Sequence, residues 1–182
     1  MESTARTELI TLGGGCFWCL EAVYELVDGV LAVESGYSNG HVPRPSYQQV
    51  CTGTTGHAEV VRVTFDPARI PLCEVLEIFF AIHDPTTRDR QGNDVGPQYR
   101  SGIYWHDPAQ EAVARAVVAE ADAAHGGRVV TELQPEANYW RAEDEHQHYY
   151  ARHPMQGYCA FVVAPKVAKF RRTFAARVRA GV

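Results

Sequence analysis

Thr7-Glu8-Leu9-Ile10-Thr11-Leu12-Gly13-Gly14-Gly15-Cys16-Phe17-Trp18-Cys19-Leu20 is the stretch of the chain that decides the fold. Its first six residues predict a short β-strand, and the three glycines that follow break that strand. From Cys16 to Val27 the apolar side chains recur with the period of an α-helix. The sequence therefore predicts a strand, a tight glycine turn and a helix that begins at Cys16.

Similar signals continue along the chain. Further strands are predicted at 30–37, 57–65, 101–105 and 129–133, and further helices at 71–83, 108–124, 143–153 and from 165 onward. Strands that alternate with helices in this way predict an α/β or α+β fold. A length of 182 residues suits one domain, so we expect 1–182 to form a single unit. Two long loops, 37–57 and 86–100, are expected to be functional because compact domains rarely keep long loops without a use.

Composition excludes several classes of protein. The chain has 17 basic and 22 acidic residues and a net charge of −5, which argues against a nucleic-acid-binding protein. Met1 to Arg6 lacks the pattern of a signal peptide, and no apolar run reaches the roughly 20 residues that span a membrane. The five cysteines are too few for a disulfide scaffold. We therefore expect a cytoplasmic protein whose thiols serve catalysis or packing.

Cys16 lies at a position that favours a reactive thiol. Unpaired backbone N–H groups and the helix dipole stabilise an anion at the start of a helix. The sequence thus predicts that the pKa of Cys16 is lowered and that Cys16 is a nucleophile. The rings of Phe17 and Trp18 suit a substrate with an S-methyl or similar apolar group. The alternative is a buried cysteine in a glycine turn, but the unbroken Gly-Gly-Gly-Cys-Phe-Trp run favours catalysis.

Cys16 and Cys19 also form a Cys-X-X-Cys pair, which allows two other interpretations. The pair could be a redox dithiol of the thioredoxin type. It could instead be half of a zinc site that His146 and His148 complete. The histidines lie in an acid-rich stretch and the chain has no second Cys-X-X-Cys, so we expect no metal.

A series of motifs resembles the peptide methionine sulfoxide reductase A family. The first motif is Gly14-Gly15-Cys16-Phe17-Trp18, and the others follow in the family's order over nearly the whole chain: 35–37, 45–51, 55–59, 83–86, 91–96, 98–101, 142–147 and 157–159. The resemblance implies an α+β fold, namely a two-layer α/β sandwich with a ferredoxin-like core and a long coil-rich C-terminal region.

The resemblance also implies roles for particular residues. Cys16 matches the nucleophile, and Glu59 matches the acid that protonates the sulfoxide oxygen. Tyr47 and Tyr99 match the phenols that hydrogen-bond to the same oxygen. Phe17 and Trp18 match the residues that contact the substrate methyl group. Asp94 and His146 match residues that line the site. A proton donor must be protonated near neutral pH, so we expect burial to raise the pKa of Glu59.

The implied activity is reduction of the S-epimer of methionine sulfoxide, free or in proteins, without an organic cofactor or metal. Cys16 would become a sulfenic acid, and a second cysteine would close a disulfide that thioredoxin reduces. Cys159 matches the family's resolving cysteine, whereas Cys19, where many members have glycine, is an alternative or a relay. We expect a monomer. The remaining alternatives are a general thiol–disulfide oxidoreductase and an inactive sulfoxide-binding protein.

Overall fold

The computed structural model describes residues 6–182. Residues 1–5 lie outside the described residues, and they belong to the segment that is predicted to carry no targeting signal. Six strands form one sheet in the order β7-β6-β1-β3-β2-β8, and two short strands, β4 and β5, form a separate hairpin. The strands are β1 Glu8–Gly13, β2 Val30–Ser38, β3 Ala58–Phe65, β4 Arg90–Gln91, β5 Asp94–Val95, β6 Gly102–Trp105, β7 Glu132–Pro135 and β8 Trp140–Arg141. All neighbours in the sheet are antiparallel except β6 and β7, which are parallel.

The α-helices are α1 Phe17–Tyr24, α2 Tyr47–Cys51, α3 Leu72–Ile82, α4 Pro108–Ala124, α5 Tyr149–Arg152 and α6 Ala164–Thr173. Helix α1 connects β1 to β2, while β3 lies between those two strands. Helix α3 follows β3 and precedes β6, which lies on the other side of β1. Through these connections the ends of β1 and β3 come together at the start of α1, where the candidate site lies.

Alternation along β3 explains why the sheet has two different faces. Val61 and Val63 join the main core under the helices, whereas Val60 packs in a small cluster with Tyr104 on the opposite face. Successive strand residues point to opposite faces, so one strand serves both clusters. Arg62, on the same face as Val60, extends over the ring of Tyr139 with its guanidinium carbon 3.6 Å from the ring centre.

The predicted mixed α/β architecture with a central sheet is confirmed, and several boundaries agree closely. Helix α4 spans the predicted 108–124, because Asp107 accepts a hydrogen bond from the Gln110 backbone and Pro108 occupies the first helical position. The last strand of the predicted set is displaced: β7 occupies Glu132–Pro135 instead of 129–133. The short elements α2, β4, β5 and β8 were not predicted.

The C-terminal part of the chain differs from the predicted helix at 143–153. A 3-10 turn at Asp144–His146 is followed by an extended Gln147 and a left-handed His148, and α5 begins only at Tyr149. Farther on, a π-helical segment, Cys159–Val163, runs directly into α6. Within residues 6–182 no helix combines the length and apolar character that crossing a membrane requires.

Candidate active site

The glycine turn presents Cys16 at the start of α1. Gly15 has φ +89°, and a Cβ there would lie 2.7 Å from Cγ of Gln91. The turn therefore needs glycine both for its backbone angle and for the close approach of Gln91. Cys16 is the residue before the first turn of α1, with extended backbone angles, and only 9% of its surface is exposed. Cys16 is thus almost entirely excluded from solvent.

The pKa of Cys16 differs from the sequence-based expectation. Burial raises the pKa of the thiol well above its usual value, and the neighbouring Glu59 and Cys19 add to the rise, while a backbone hydrogen bond from Trp18 opposes it. The helix start does stabilise the thiolate, but exclusion of water outweighs that effect here. The thiol of Cys16 is therefore protonated near neutral pH.

Glu59 lies on β3 directly beside the start of α1. Only 1% of its surface is exposed, and its Oε1 accepts a hydrogen bond of 3.2 Å from the backbone N–H of Phe17. Its Oε2 is buried and has no hydrogen-bond partner among residues 6–182. Burial raises the pKa of Glu59 to about 8, with Phe17 opposing and Asp94 adding to the rise. A protonated carboxyl group therefore lies next to Cys16 with one oxygen unused.

Two aromatic rings, those of Phe17 and Trp18, directly follow Cys16 at the start of α1. Phe17 is fully buried, and its ring centre lies 5.7 Å from that of Tyr37. Trp18 lies flat against Tyr149, with ring centres 3.8 Å apart and planes 5° apart. The indole Nε1 of Trp18 donates to Nδ1 of His146 at 3.3 Å. The orientation of Trp18 is therefore fixed by stacking on one side and by a hydrogen bond at its edge.

Tyr47 and Tyr99 come from two short elements that the loops contain. Tyr47 begins α2, whose start is stabilised by reciprocal hydrogen bonds between Ser46 and Gln49. Tyr99 ends a 3-10 turn at Pro97–Tyr99. Burial raises the pKa of both phenols, and in each case the charge of Glu59 is the next cause. Both phenols are therefore proton-bearing groups within electrostatic range of Glu59.

Asp94 contacts Tyr158, a residue for which the sequence motifs predicted no role. Oδ2 of Asp94 accepts a hydrogen bond of 2.6 Å from the hydroxyl of Tyr158. The same hydroxyl lies 3.9 Å from Sγ of Cys19, and the Tyr158 ring meets Trp18 edge-on at 5.8 Å. Tyr158 therefore links the β4–β5 hairpin to α1. Its place in the motif Gly157-Tyr158-Cys159 was the only sequence signal for it.

All five cysteines are unbonded to one another, and the two candidate resolving cysteines are both buried. Burial raises the pKa of Cys159, and the second cause is the charge of Cys19. Cys19 in turn contributes to the raised pKa of Cys16. Cys19 is thus the electrostatic neighbour of both the candidate nucleophile and the C-terminal cysteine.

The zinc arrangement considered from the sequence is not assembled. His146 uses Nδ1 to accept from Trp18, and Nδ1 of the exposed His148 contacts Glu25 on the surface. Two groups in residues 6–182 have metal-ligand spacing, Glu21 with Glu25 and His148, and Glu143 with Glu145 and His146, and neither includes a cysteine. The histidines therefore do not complete a site with Cys16 and Cys19.

Comparisons with known proteins agree with this geometry. Residues 8–178 match the family described as "Peptide methionine sulfoxide reductase". A relative from Ralstonia nicotianae, named peptide methionine sulfoxide reductase MsrA, is 57% identical, and the match covers 99% of this chain and 97% of the relative. A relative of the same name from Saccharolobus solfataricus is 54% identical, and the match covers 94% of this chain and 97% of the relative.

Solved structures give the same result. Reduced Mxr1 from Saccharomyces cerevisiae superposes with a TM-score of 0.82 at 37% identity, covering 87% of this chain and 92% of that chain. Mxr1 in complex with Trx2 superposes with a TM-score of 0.58 at 30% identity, covering 82% and 88%. With a family match over most of its length and relatives more than half identical to it, the chain belongs to the peptide methionine sulfoxide reductase family.

Proposed function

We propose that the chain reduces the S-epimer of methionine sulfoxide, free or in proteins, with Cys16 as the nucleophile and Glu59 as the proton donor. The observation that carries this proposal is the state of Glu59. Its carboxyl group is buried, its pKa is raised to about 8, and its Oε2 has no protein partner within residues 6–182. A carboxylic acid with an unused oxygen beside a thiol suits protonation of a leaving oxygen.

The chemical step balances with the groups of the site. The sulfur of Cys16 attacks the substrate sulfur, and the substrate oxygen is then transferred to Cys16 as the substrate S–O bond and the transient S–S bond break. Cys16 is thereby oxidised to a sulfenic acid and the substrate sulfur is reduced. Glu59 supplies a proton to the oxygen, and the proton of the Cys16 thiol passes to Glu59. The products are methionine and the Cys16 sulfenic acid, and no net proton is consumed.

The remaining residues are assigned to substrate binding. We assign the phenols of Tyr47 and Tyr99 to hydrogen bonding with the sulfoxide oxygen, and their electrostatic coupling to Glu59 supports that assignment. Phe17 and Trp18 would contact the substrate methyl group, because aromatic rings make favourable contacts with sulfur-bound methyl groups. Asp94 and His146 line the same site.

Recycling requires a second thiol and a reductant. We assign the resolving role to Cys159, with Cys19 as the alternative or as a relay: attack on the Cys16 sulfenic acid releases water and forms a disulfide. A thioredoxin would then reduce this disulfide through its own dithiol. The support for thioredoxin is the solved complex of the yeast relative Mxr1 with Trx2.

Several broader expectations are part of the proposal. One core cluster containing residues from Ile10 to Phe170 supports a single domain. The order β6-β1-β3-β2, with α1 and α3 as connections, supports a ferredoxin-like core, and the short elements after β7 support a coil-rich C-terminal region. Five unbonded cysteines suit a reducing compartment such as the cytoplasm, and we expect the enzyme to act as a monomer.

The test is a thioredoxin-coupled assay with separated S and R epimers of methionine sulfoxide. We expect turnover of the S-epimer alone. The Cys16→Ser variant is the control and should show no turnover, because a hydroxyl is a much weaker nucleophile near neutral pH. Equal turnover of both epimers, or turnover of neither, contradicts the proposal.

A further inference from the structure

We infer that Glu143 is a positioning residue of the active site: it fixes the tautomer of His146, and His146 in turn fixes the orientation of Trp18. This inference rests on the proposed function, because Trp18 is assigned there to the substrate methyl group. Glu143 itself does not touch the reacting atoms. Its effect on the substrate is indirect and passes through His146 and Trp18.

Glu143 joins three separate parts of the site with its two carboxylate oxygens. Oε1 accepts a hydrogen bond of 3.0 Å from the backbone N–H of Tyr47, at the start of α2. Oε2 accepts one of 2.9 Å from the hydroxyl of Tyr37 on β2. The same Oε2 lies 3.4 Å from Nε2 of His146. A single side chain therefore contacts a loop helix, the central sheet and the ring that holds Trp18.

The hydrogen bond from Trp18 determines which nitrogen of His146 carries the proton. An indole N–H can only donate, so Nδ1 of His146 must be unprotonated to accept from it. Burial lowers the pKa of His146, so the ring is neutral near pH 7. A neutral ring has one proton, and it must then reside on Nε2. This nitrogen lies 3.4 Å from Oε2 of Glu143.

The negative charge of Glu143 stabilises this tautomer. Nε2 of His146 is buried and has no hydrogen bond of standard geometry in residues 6–182, so the charge beside it matters more than it would in water. Glu145 is also near, but its oxygen lies 3.9 Å away and its side chain is 74% exposed. Because water screens the exposed charge of Glu145, Glu143 has the larger effect on the tautomer of His146.

The tautomer of His146 with its proton on Nδ1 would break the hydrogen bond from Trp18. A proton on Nδ1 would face the N–H of Trp18, and two donors cannot form a hydrogen bond. Trp18 would then lose the contact at its edge and be held mainly by stacking on Tyr149. Since Trp18 is expected to contact the methyl group in both the bound substrate and the transition state, its displacement should weaken binding more than chemistry.

The experiment compares Glu143→Gln with the matched control Glu145→Gln. The tautomer of His146 is measured by nitrogen-15 NMR, and KM and kcat are measured for the S-epimer of methionine sulfoxide. In wild type we expect the proton on Nε2. In Glu143→Gln we expect a substantial population with the proton on Nδ1, a KM raised about tenfold, and a kcat within about threefold of wild type, since the loss of the hydrogen bond from Trp18 to His146 carries an energy of this order. Glu145→Gln should leave both measurements unchanged.

Two results overturn the inference. One is a wild-type His146 with its proton on Nδ1, which needs no variant and is independent of folding. The other is a Glu143→Gln variant that keeps the Nε2 proton and a KM within about twofold of wild type. If wild type reduced no methionine sulfoxide, the proposed function would fail, while the tautomer measurement would still decide the role of Glu143.

Discussion

At the scale of single residues, Cys16 and Glu59 share one environment that keeps protons on both. Burial raises the pKa of each group, and a negative charge on Glu59 raises the pKa of Cys16 further. Groups coupled in this way titrate as a pair. A site that holds both protons before substrate arrives has the proton that the sulfoxide oxygen needs, and it avoids a free thiolate that oxidants could attack.

The pH dependence of the chemical step follows from Glu59. The protonated form is the active one, so the rate is fully present below the pKa of about 8 and is lost as pH rises through it. Single-turnover formation of methionine, measured by rapid quench over a series of pH values, checks this prediction. A rate that keeps rising above pH 8, as simple ionisation of a thiol would produce, is incompatible with it.

Replacing the proton donor gives a separate prediction. Glu59→Gln keeps the size and the hydrogen bond from Phe17 but cannot donate an acidic proton. We expect the single-turnover rate to fall by about 10²–10⁴-fold and its decline above pH 8 to disappear. If the rate stays within a few-fold of wild type, Glu59 is not the proton donor.

At the scale of elements, the glycine turn couples the start of α1 to the loop that carries Gln91. The side-chain amide of Gln91 makes two hydrogen bonds to the backbone of Asp84, of 2.8 and 3.0 Å. Because a Cβ on Gly15 would also come within 2.9 Å of Cβ of Gln91, Gln91 cannot simply rotate away. The turn and the loop are therefore expected to move together.

We predict that Gly15→Ala destabilises the protein by about 2–4 kcal/mol and lowers kcat/KM, because it adds a steric clash to an unfavourable backbone angle. Gly92→Ala is the matched control: Gly92 also has a positive φ, of +58°, but a Cβ there would contact nothing within 4 Å. That change should cost only about 1 kcal/mol. Urea unfolding of both variants makes the comparison. Equal losses would show that the approach of Gln91 has no effect.

The C-terminal cysteine lies on an element that is suited to rearrangement. Cys159 begins the π-helical segment Cys159–Val163, and π-helical turns are rare and are frequently found at functional sites. Cys159 is fully buried, and the charge of Cys19 contributes to the rise in its pKa, so these two thiols are electrostatic neighbours.

We predict that Cys159→Ser keeps a single turnover but loses most thioredoxin-driven recycling. Wild-type enzyme treated with one equivalent of sulfoxide should give a dominant Cys16–Cys159 disulfide by peptide mass mapping. A dominant Cys16–Cys19 link would instead assign the resolving role to Cys19. A link that forms first to Cys19 and then shifts would show a relay, and Cys19→Ser should then also stall recycling.

Local patterns predicted the elements that local interactions determine. Helix α4 was predicted accurately because its start has its own capping signals. Helix α2 was missed because it has only five residues, although the Ser46 and Gln49 pair was a usable signal. The predicted lowering of the pKa of Cys16 was wrong in direction, because desolvation depends on what the rest of the chain packs around the thiol. The contacts of Glu143 with Tyr37 and Tyr47 span about 100 residues and leave no local pattern.

At the scale of the whole molecule, a polar cluster joins distant parts of the chain on the sheet face opposite the main core. Glu136 accepts hydrogen bonds from Thr11 on β1 and from Arg62 on β3, and it lies 3.1 Å from Nε2 of His106, just after β6. The carboxylate thus connects two central strands to the segment that follows β7. These contacts make Glu136 a determinant of global stability and not of the active site.

The last prediction concerns acid unfolding. Burial alone would raise the pKa of Glu136, but hydrogen bonds from His106, Arg62 and Thr11 outweigh it and lower the pKa to about 2. A folded-state pKa below that of the unfolded chain, about 4.3 for glutamate, means that the ionised group stabilises the fold above that value. This contribution is lost as pH falls through about 4 toward 2.

Glu136→Gln should therefore destabilise the protein by on the order of 1–3 kcal/mol near pH 7, and this deficit relative to wild type should shrink steadily below about pH 4. Urea unfolding of both proteins over a series of pH values gives the difference directly, so that other acid-sensitive groups cancel. Glu120→Gln, on the exposed side of α4, is the control and should match wild type throughout. A deficit of the same size near pH 3 as at pH 7 would mean that Glu136 stabilises the sheet by its shape and neutral hydrogen bonds, and that its charge contributes nothing.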